Sequence, residues 1–410
     1  MLNKLSRYII ILLIAVVAAF YLPDFFSMLF DKKVDTPRLD YSEVIDEFVY
    51  IEYHGMGQID YMDVNGNTYS ERDYFKLLPF MYYANLEKWG ELPKEIDGFK
   101  LSSKSIRQNS QVFRIQQKHI NPPIVPLYIM FEAEPDYAQL VIPDDVFRIG
   151  KTIEFIDPVS NSVLEEKSHL FQEAMKAAGF TFPATLAVGN GTNRKPFDEG
   201  YFIKDAKNEV FHLKMIKGVP VCINTGIDPD LGIRQMSISE NLRKEFYGWI
   251  LTDDNEVYII TYDNYKLKQI PTVPENPEYS YVADDMSIYV YTYPVNRHIT
   301  ISGDGFRQMI VTDNDLNVIA EHVETWKPYD KRASSIAKRF IFPFELTTYD
   351  PMKHVKVQMN VFWWEGLVGT AVALLALVLF SRKRPWFDYV VVLFTGVFGL
   401  IGVLLIKPED

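Results

Sequence analysis

Two uncharged runs either side of a short basic turn constrain this chain more than any other feature. Gly366 to Phe380 carries no charge and follows Trp363, Trp364 and Glu365, while Val390 to Ile406 follows Trp386-Phe387-Asp388-Tyr389. The turn between them is Ser381-Arg382-Lys383-Arg384-Pro385. A membrane-spanning helix needs roughly 20 predominantly apolar residues, and tryptophan and tyrosine collect at its two interfaces. The pattern predicts two spans, and a basic loop this short counts fully under the positive-inside rule. The loop is then cytoplasmic, and both Phe362 and the tail from Lys407 to Asp410 lie outside. Gly366, Gly369 and Ala373, with Gly396, Gly399 and Gly402, permit close helix approach.

The beginning of the chain repeats the signal. Lys4 and Arg7 precede Tyr8 to Leu22, an apolar run closed by Pro23-Asp24 and followed by the apolar patch Phe25 to Phe30. Val17-Ala18-Ala19 resembles a signal cleavage site, but apolar residues continue past it, which favours an uncleaved anchor. Either way the polarity agrees with the hairpin. The expected organisation is an anchor over residues 1–30, an extracytoplasmic domain over 31–362 and a transmembrane hairpin over 363–410. That makes three transmembrane helices, with the N-terminus inside and residue 410 outside.

Charge narrows the partners of the middle segment. The whole chain has a net charge of −12, and residues 23–362 carry −14 of it against +2 before them. A domain this acidic is repelled by nucleic acid and by anionic headgroups. Cys222 is the single cysteine, which excludes an intramolecular disulfide and a cysteine-built metal cluster.

Within the domain, Ser70-Glu71-Arg72-Asp73 reads as a helix N-cap with an acid three residues on. Pro79 starts a second helix that Gly90 ends. Glu166 to Ala178 reads as a third. From Thr185 onward the pattern turns to short β-runs in sets of four. Thr185–Val188, Tyr201–Lys204, Val210–Ile216 and Val219–Ile223 form the first set. Arg234–Ser239, Gly248–Thr252, Val257–Tyr262 and Lys266–Ile270 form the second. Ser287–Tyr293, His298–Ser302, Phe306–Thr312 and Val318–Val323 form the third. Similar Asp/Asn turns precede Val210, Val257 and Val318, with earlier echoes at Thr68, Val112 and Val163; the steps Val163 to Val210 and Val210 to Val257 are each 47 residues. Repeats of 40–50 residues built from four strands are the signature of a β-propeller. The fold class expected is mainly β and propeller-like, with β-sandwich domains as the alternative.

Chemical motifs are sparse. The seven histidines have no spacing that sets two on one helical face, and no zinc pattern emerges. Asp63-Val64-Asn65-Gly66-Asn67 has its glycine fourth, where an EF-hand loop requires it sixth. Ser335-Ile336-Ala337-Lys338 matches S-x-x-K, but Ser239-Glu240-Asn241 stands on the wrong side of it and no K-T-G follows. Adjacent acids such as Asp144-Asp145, Asp253-Asp254 and Asp284-Asp285 point apart in their turns and do not make a glycosidase pair. No catalytic, cofactor-binding or metal-ligating residue is assigned. If the Asp/Asn turns all join second to third strands, Asp205, Asp253, Asp254, Asp313 and Asp315 share one face, with Asp157 a sixth. Such a face would draw a cation or a basic partner; ordinary Asx turns facing water are the competing reading.

Tyr69-Ser70-Glu71-Arg72-Asp73-Tyr74-Phe75-Lys76-Leu77-Leu78-Pro79 and the C-terminal double run together resemble an uncharacterised family of bacterial envelope proteins known only as a domain of unknown function. The resemblance implies a protein of the bacterial inner (cytoplasmic) membrane, a companion of ABC-type export systems, and it carries no active residue. The function expected is a non-enzymatic, membrane-anchored binding or sensory accessory protein. An envelope glycan hydrolase is the alternative.

Overall fold

A computed structural model describes residues 2–31, 36–54, 57–120, 126–271, 287–303, 305–327, 332–349, 354–359, 363–380 and 384–408. The chain divides into two compact units, residues 35–324 and residues 1–34 with 325–410. The basic residues Arg382 and Lys383 and the pair Asp284-Asp285 lie outside the described residues.

The larger unit is built of antiparallel meanders, each strand pairing with the next in sequence. The first sheet is β1 (Arg38–Ser42), β2 (Glu47–His54), β3 (Gln58–Asp63) and β4 (Thr68–Tyr69); a two-strand ladder, β5 (Glu95–Ile96) and β6 (Phe99–Lys100), follows. Then come the lone strand β7 (Gln111–Gln116) and a three-stranded sheet of β8 (Val146–Ile149), β9 (Ile153–Asp157) and β10 (Ser162–Val163). Two four-stranded sheets follow: β11 (Leu186–Gly189), β12 (Tyr201–Lys204), β13 (Val210–Ile216) and β14 (Val219–Asn224), then β15 (Ile233–Ile238), β16 (Phe246–Thr252), β17 (Val257–Thr261) and β18 (Leu267–Ile270). The last holds β19 (Ser287–Thr292), β20 (Arg297–Gly303), β21 (Phe306–Thr312) and β22 (Val318–Thr325), with β7 added beside β19.

The strand alternation feeds both faces of the inner sheets. In β12, Tyr201 and Ile203 pack with Phe147, Phe155, Phe171 and Met175 of the preceding layer, whereas Phe202 faces Ile233, Met236 and Ile250 of the following one. Trp249, Leu251 and Ile259 meet Ile288, Val290, Ile299 and Phe113 of β7. Leu39, Tyr41 and Phe48 of the first sheet meet Met309 and Val311 of the last. Five sheets thus stack in series. A closed propeller or barrel is not found among the described residues: the first sheet turns its other face, Val49 and Ile51, to a helix carrying Tyr74 and Leu77 instead of to the β8–β10 sheet. The four-strand repeat holds, and the closed ring does not.

Helices of this unit begin where their caps say. Ser70 accepts from the Asp73 N–H, and Pro79 opens the next helix, which ends at Gly90 with φ 73°; the sequence-expected helix at 166–178 spans Glu165–Ala177.

The smaller unit is helical, with one two-stranded ladder at Phe344–Tyr349 and His354–Met359. Its helices are α1 (Leu2–Phe30), α2 (Ala333–Ile341), α3 (Trp363–Phe380), α4 (Trp386–Thr395) and α5 (Val397–Leu405). Among the described residues only α1, over Leu5–Phe30, is long and apolar enough to cross a membrane by length and composition. Three such spans were expected. The last of them is broken at Gly396, whose φ of 58° and ψ of −134° end one helix and start another. That conformation suits glycine, and a Cβ there would stand 2.8 Å from Pro343 Cγ.

The two short helices fold back on each other. Arg7 of α1 forms a bidentate pair with Asp388 at the start of α4, at 2.7 and 2.8 Å. The same guanidinium donates to the carbonyl of Ile406, just past α5, at 3.1 and 3.0 Å. Arg384 donates to Val403 O at 2.9 Å. The end of α5 therefore returns to the end of the bundle where α4 begins. The close approach expected of the small residues is present: a Cβ on Gly402 would lie 2.9 Å from Ile11 O.

Candidate functional site

The β-unit buries charge at one end of the stack, in the loops that join successive strands. Asn190–Gly200 connects β11 to β12, and Ser239–Glu245 connects β15 to β16 on the neighbouring sheet. Where they meet, Lys195 is 3 % exposed, between Asp198 at 1 % and Glu240 at 0 %. Its ammonium donates to Asp198, to Glu240 Oε1 at 2.7 Å and to Asn190 O at 2.6 Å. These three bonds use every donor the ammonium has, and the Phe131 ring lies 5.0 Å from it. Asn190 Nδ2 donates to the second Glu240 oxygen at 2.8 Å, and the Gly200 N–H to Asp198 Oδ2 at 3.0 Å. Burial pushes the Asp198 carboxyl above its usual range, against the pull of Lys195.

The backbone at Gly200 lets the knot form. With φ at 66°, a side chain there would be strained, and a Cβ would sit 2.2 Å from Leu213 O. Glu199 consequently turns the other way. It pairs with Lys214 and accepts from Tyr262 OH at 2.9 Å. Its carbonyl meets His212 Nε2 at 2.5 Å, and His212 Nδ1 lies 3.0 Å from Tyr265 OH. Burial, then Lys214, pulls His212 down to about 3, so the ring is neutral. Burial followed by Glu199 pushes the Tyr262 phenol well up.

The ionic series continues onto the next two sheets. Arg243 donates to Glu245 at 2.6 Å, to Tyr293 O at 2.8 Å and to Asn314 Oδ1 at 3.1 Å. Arg297 is wholly buried; it pairs with Glu245 and donates to Thr292 Oγ1 at 3.0 Å. Glu43 of the first sheet then meets His298 at 3.1 Å and accepts from Asn296 at 3.2 Å. Beside the Lys195 knot opens a cavity of about 520 Å³ lined by Gln139, Leu140, Asn193, Arg194, Lys195 and Pro196. Lys195 is buried there and Arg194 is exposed, so the lining residues offer amides and one guanidinium beside the ionic cluster. That arrangement can hold a polar ligand. Every donor of Lys195 in that cluster is already bonded to the protein.

The sequence-expected acidic residues separate. Asp205 and the Asp253-Asp254 turn lie at the opposite end of the stack, where Lys204 Nζ reaches Ile233 O and the Asp253 N–H donates to Gly232 O at 2.8 Å. Asp313 and Asp315 lie at the ionic end, between β21 and β22, with Asn314 bonded to Arg243 and Pro294. The shared feature of these turns is local. Asp63, Asp205 and Asp313 each accept from the N–H groups two and four residues on, at 2.7–3.0 Å. Thr252 Oγ1 accepts from the N–H four residues on, that of Glu256, at 3.1 Å. Three residues after each stands a positive φ, at Gly66, Asn208, Asn255 and Leu316. Asp157 caps Val159 and Ser160 in a shorter version. Asp205 is fully buried in its turn, and Asp315 pairs loosely with Lys268 at 3.5 Å. Among the described residues no three His, Cys, Asp or Glu side chains converge to hold a metal.

A family model described as a domain of unknown function, DUF4857, matches residues 38–312. The chain belongs to the DUF4857 family. The match runs from β1 to the end of β21 and so contains the Lys195 knot, the Arg243–Arg297 series and the cavity. No curated protein matches the chain.

Sequence reasoning passed over Lys195, Asp198 and Glu199, and met Glu240 only in the discarded Ser239-Glu240-Asn241 match. The first three follow Asn, Gly and Thr in a stretch that reads as solvated loop. The available signal was length: Asn190–Gly200 is long for a connection between neighbouring antiparallel strands.

Proposed function

We propose that this DUF4857 protein is a membrane-anchored binding or sensory accessory protein that takes a polar ligand or partner segment in the cleft beside Lys195. The observation that carries the reading is the pairing of a roomy, amide-and-guanidinium-lined cavity with a floor whose charges are internally satisfied. A site of that kind binds without reacting. Apolar helices α1 and α3 anchor the chain, and residues 35–324 face away from the cytoplasm of a bacterial inner membrane, as the basic flanks at Lys4, Arg7 and Arg382–Arg384 suggest. The partner class we favour is the membrane part of an ABC-type transporter.

Recovery from native membranes tests it. The full chain should co-purify a permease or ATPase, and Arg194→Ala with Asn193→Ala should reduce that recovery while leaving the thermal midpoint unchanged. Turnover of envelope polysaccharide by the purified chain, with no co-purifying membrane subunit, would replace this reading with a hydrolase.

A further inference from the structure

The break at Gly396 changes the count of membrane crossings. Helices α4 and α5 have 10 and 9 residues, roughly 15 and 13 Å at about 1.5 Å per residue. Each is half of a hydrocarbon core of about 30 Å. Helix α3, with 18 residues, reaches about 27 Å by the same rise. The joint is not open to lipid: it packs on Pro343 and Thr370, and Phe398 just beyond stacks on Phe342 at 5.6 Å. Its backbone groups are used, with Gly396 N–H bonded to Val392 O at 2.7 Å and Leu400 N–H to Gly396 O at 3.1 Å. Irregular backbone at membrane depth persists only where protein buries it in this way.

We propose that Trp386–Leu405 is a re-entrant hairpin, entering and leaving the bilayer on the face where α1 begins. On this reading α3, a little shorter than the core at about 27 Å, completes a second crossing beside α1 with its flanking residues, and Lys407 lies on the same side as Ser6. The clamp is the triad of Arg7, Asp388 and the Ile406 carbonyl. It holds the start of α4 and the end of α5 against one guanidinium, which a straight span from Val390 to Ile406 would put about 25 Å apart. This sidedness also gathers Lys4, Arg7, Arg384 and Lys407 on one face, the distribution the positive-inside rule favours. It replaces the outside position expected for the tail.

The inference rests on the membrane reading of the helical unit, and the two can fail separately. In a Cys222→Ser full-length background, single cysteines are placed by Ser6→Cys, Asp228→Cys and Lys407→Cys. Each is labelled with a membrane-impermeant maleimide in right-side-out and inverted vesicles. Residue 407 should label with residue 6 and opposite to residue 228. Labelling of 407 from the side of 228, alone or mixed, overturns the hairpin. Release of the chain by alkaline carbonate sinks the membrane reading and the hairpin with it. Gly396→Ala gives a second measure: it should lower the thermal midpoint in detergent, whereas a rise is the result for a continuous helix and would overturn the proposal.

Discussion

The two units bury ions by different means. In the β-unit, Lys195 sits under two carboxylates with every donor used, and the series runs on through Arg243, Arg297 and Glu43 across four sheets. In the helical unit the groups are small and mark the two ends of the bundle: Arg7 with Asp388 at one end, with Arg384 3.8 Å from the same carboxylate, and Arg339 with Glu365 at 2.9 Å at the other, next to the pair of Lys338 and Glu345. A sheet stack leaves loops at its ends where polar groups are supplied in quantity by backbone and neighbours. A helix bundle offers few such groups, so a charge there takes one or two partners and the carbonyls of a helix terminus. Buried ions in the first setting form a network; in the second they form pins.

The largest effect expected follows from removing the cation of the network. Lys195→Ala leaves Asp198 and Glu240 buried and unpaired, which costs about 3–5 kcal/mol. Thermal melts of the full chain in detergent, followed by tryptophan fluorescence, should show a large drop in midpoint. The contrast with the pin is sharper in a double variant. Asp388→Leu alone should destabilise by a similar amount, while Arg7→Met with Asp388→Leu should return to within about 1–2 kcal/mol of the wild type, because a buried pair is replaceable by apolar packing and Arg384 keeps its bond to Val403 O. If the double variant is as damaged as the single one, the pin is part of a wider network and the comparison fails.

A smaller effect separates the units by pH. The His212 ring is held neutral, with its value pulled from 6.5 down to about 3. Above the unfolded value both states are unprotonated and the ring contributes no slope. As pH falls from about 6.5 toward 3, the unfolded chain takes a proton that the folded one refuses. Stability should therefore fall by up to about 1.4 kcal/mol per pH unit over that window. His212→Gln should flatten that part of the profile. Asp313 acts at lower pH: hydrogen bonds from the side chain and then the backbone of Asn317 hold its carboxyl below the usual range. Its contribution is present above the unfolded value of about 3.9 and is lost as pH drops through the lower folded one. The smallest effect is that of calcium on the turns. Asp205, Asp254 and Asp313 changed together to Asn keep the Oδ1 acceptor, but the second oxygen, which accepts from Thr181 N–H at Asp205 and from Asn317 Nδ2 at Asp313, becomes a donor; the midpoint should fall, and by the same amount with and without calcium. A calcium-dependent shift in the wild type that vanishes in the variant would restore the idea of a cation-binding face.

What could be read in advance follows the range of the interactions. The turn before Val210 is a local device, Asp205 capping two N–H groups with a positive φ three residues on at Asn208, and the turns before Val257 and Val163 keep parts of it through Thr252 and Asp157. Such a device is written in five consecutive residues. The four-strand sets followed from it, and the helix starts at Ser70 and Pro79 followed from capping alone. The assumption that all the turns share one face failed because the Asp313 turn joins the third and fourth strands of its set, β21 and β22, whereas the Asp205 and Asp253 turns join second to third. The pairing of β7 with β19 depends on a distant stretch and leaves no local trace. The knot at Lys195 was hidden for that second reason, since Glu240 arrives from another sheet. Gly396 was legible as a glycine but not as a break, because one glycine in an apolar run also serves close helix contact, as Gly402 does.

The placement of β7 also sets an order of events. Its six residues, Gln111–Gln116, stand ready long before their partners Thr292–Ser287 exist. A chain emerging from its N-terminal end must carry Phe113 and Ile115 with an unmated edge while three intervening sheets form. Pairings of such long sequence separation are slow and leave the waiting segment open to wrong partners. The architecture therefore calls for protection during synthesis, and the β-unit becomes whole only when nearly all of it has been made.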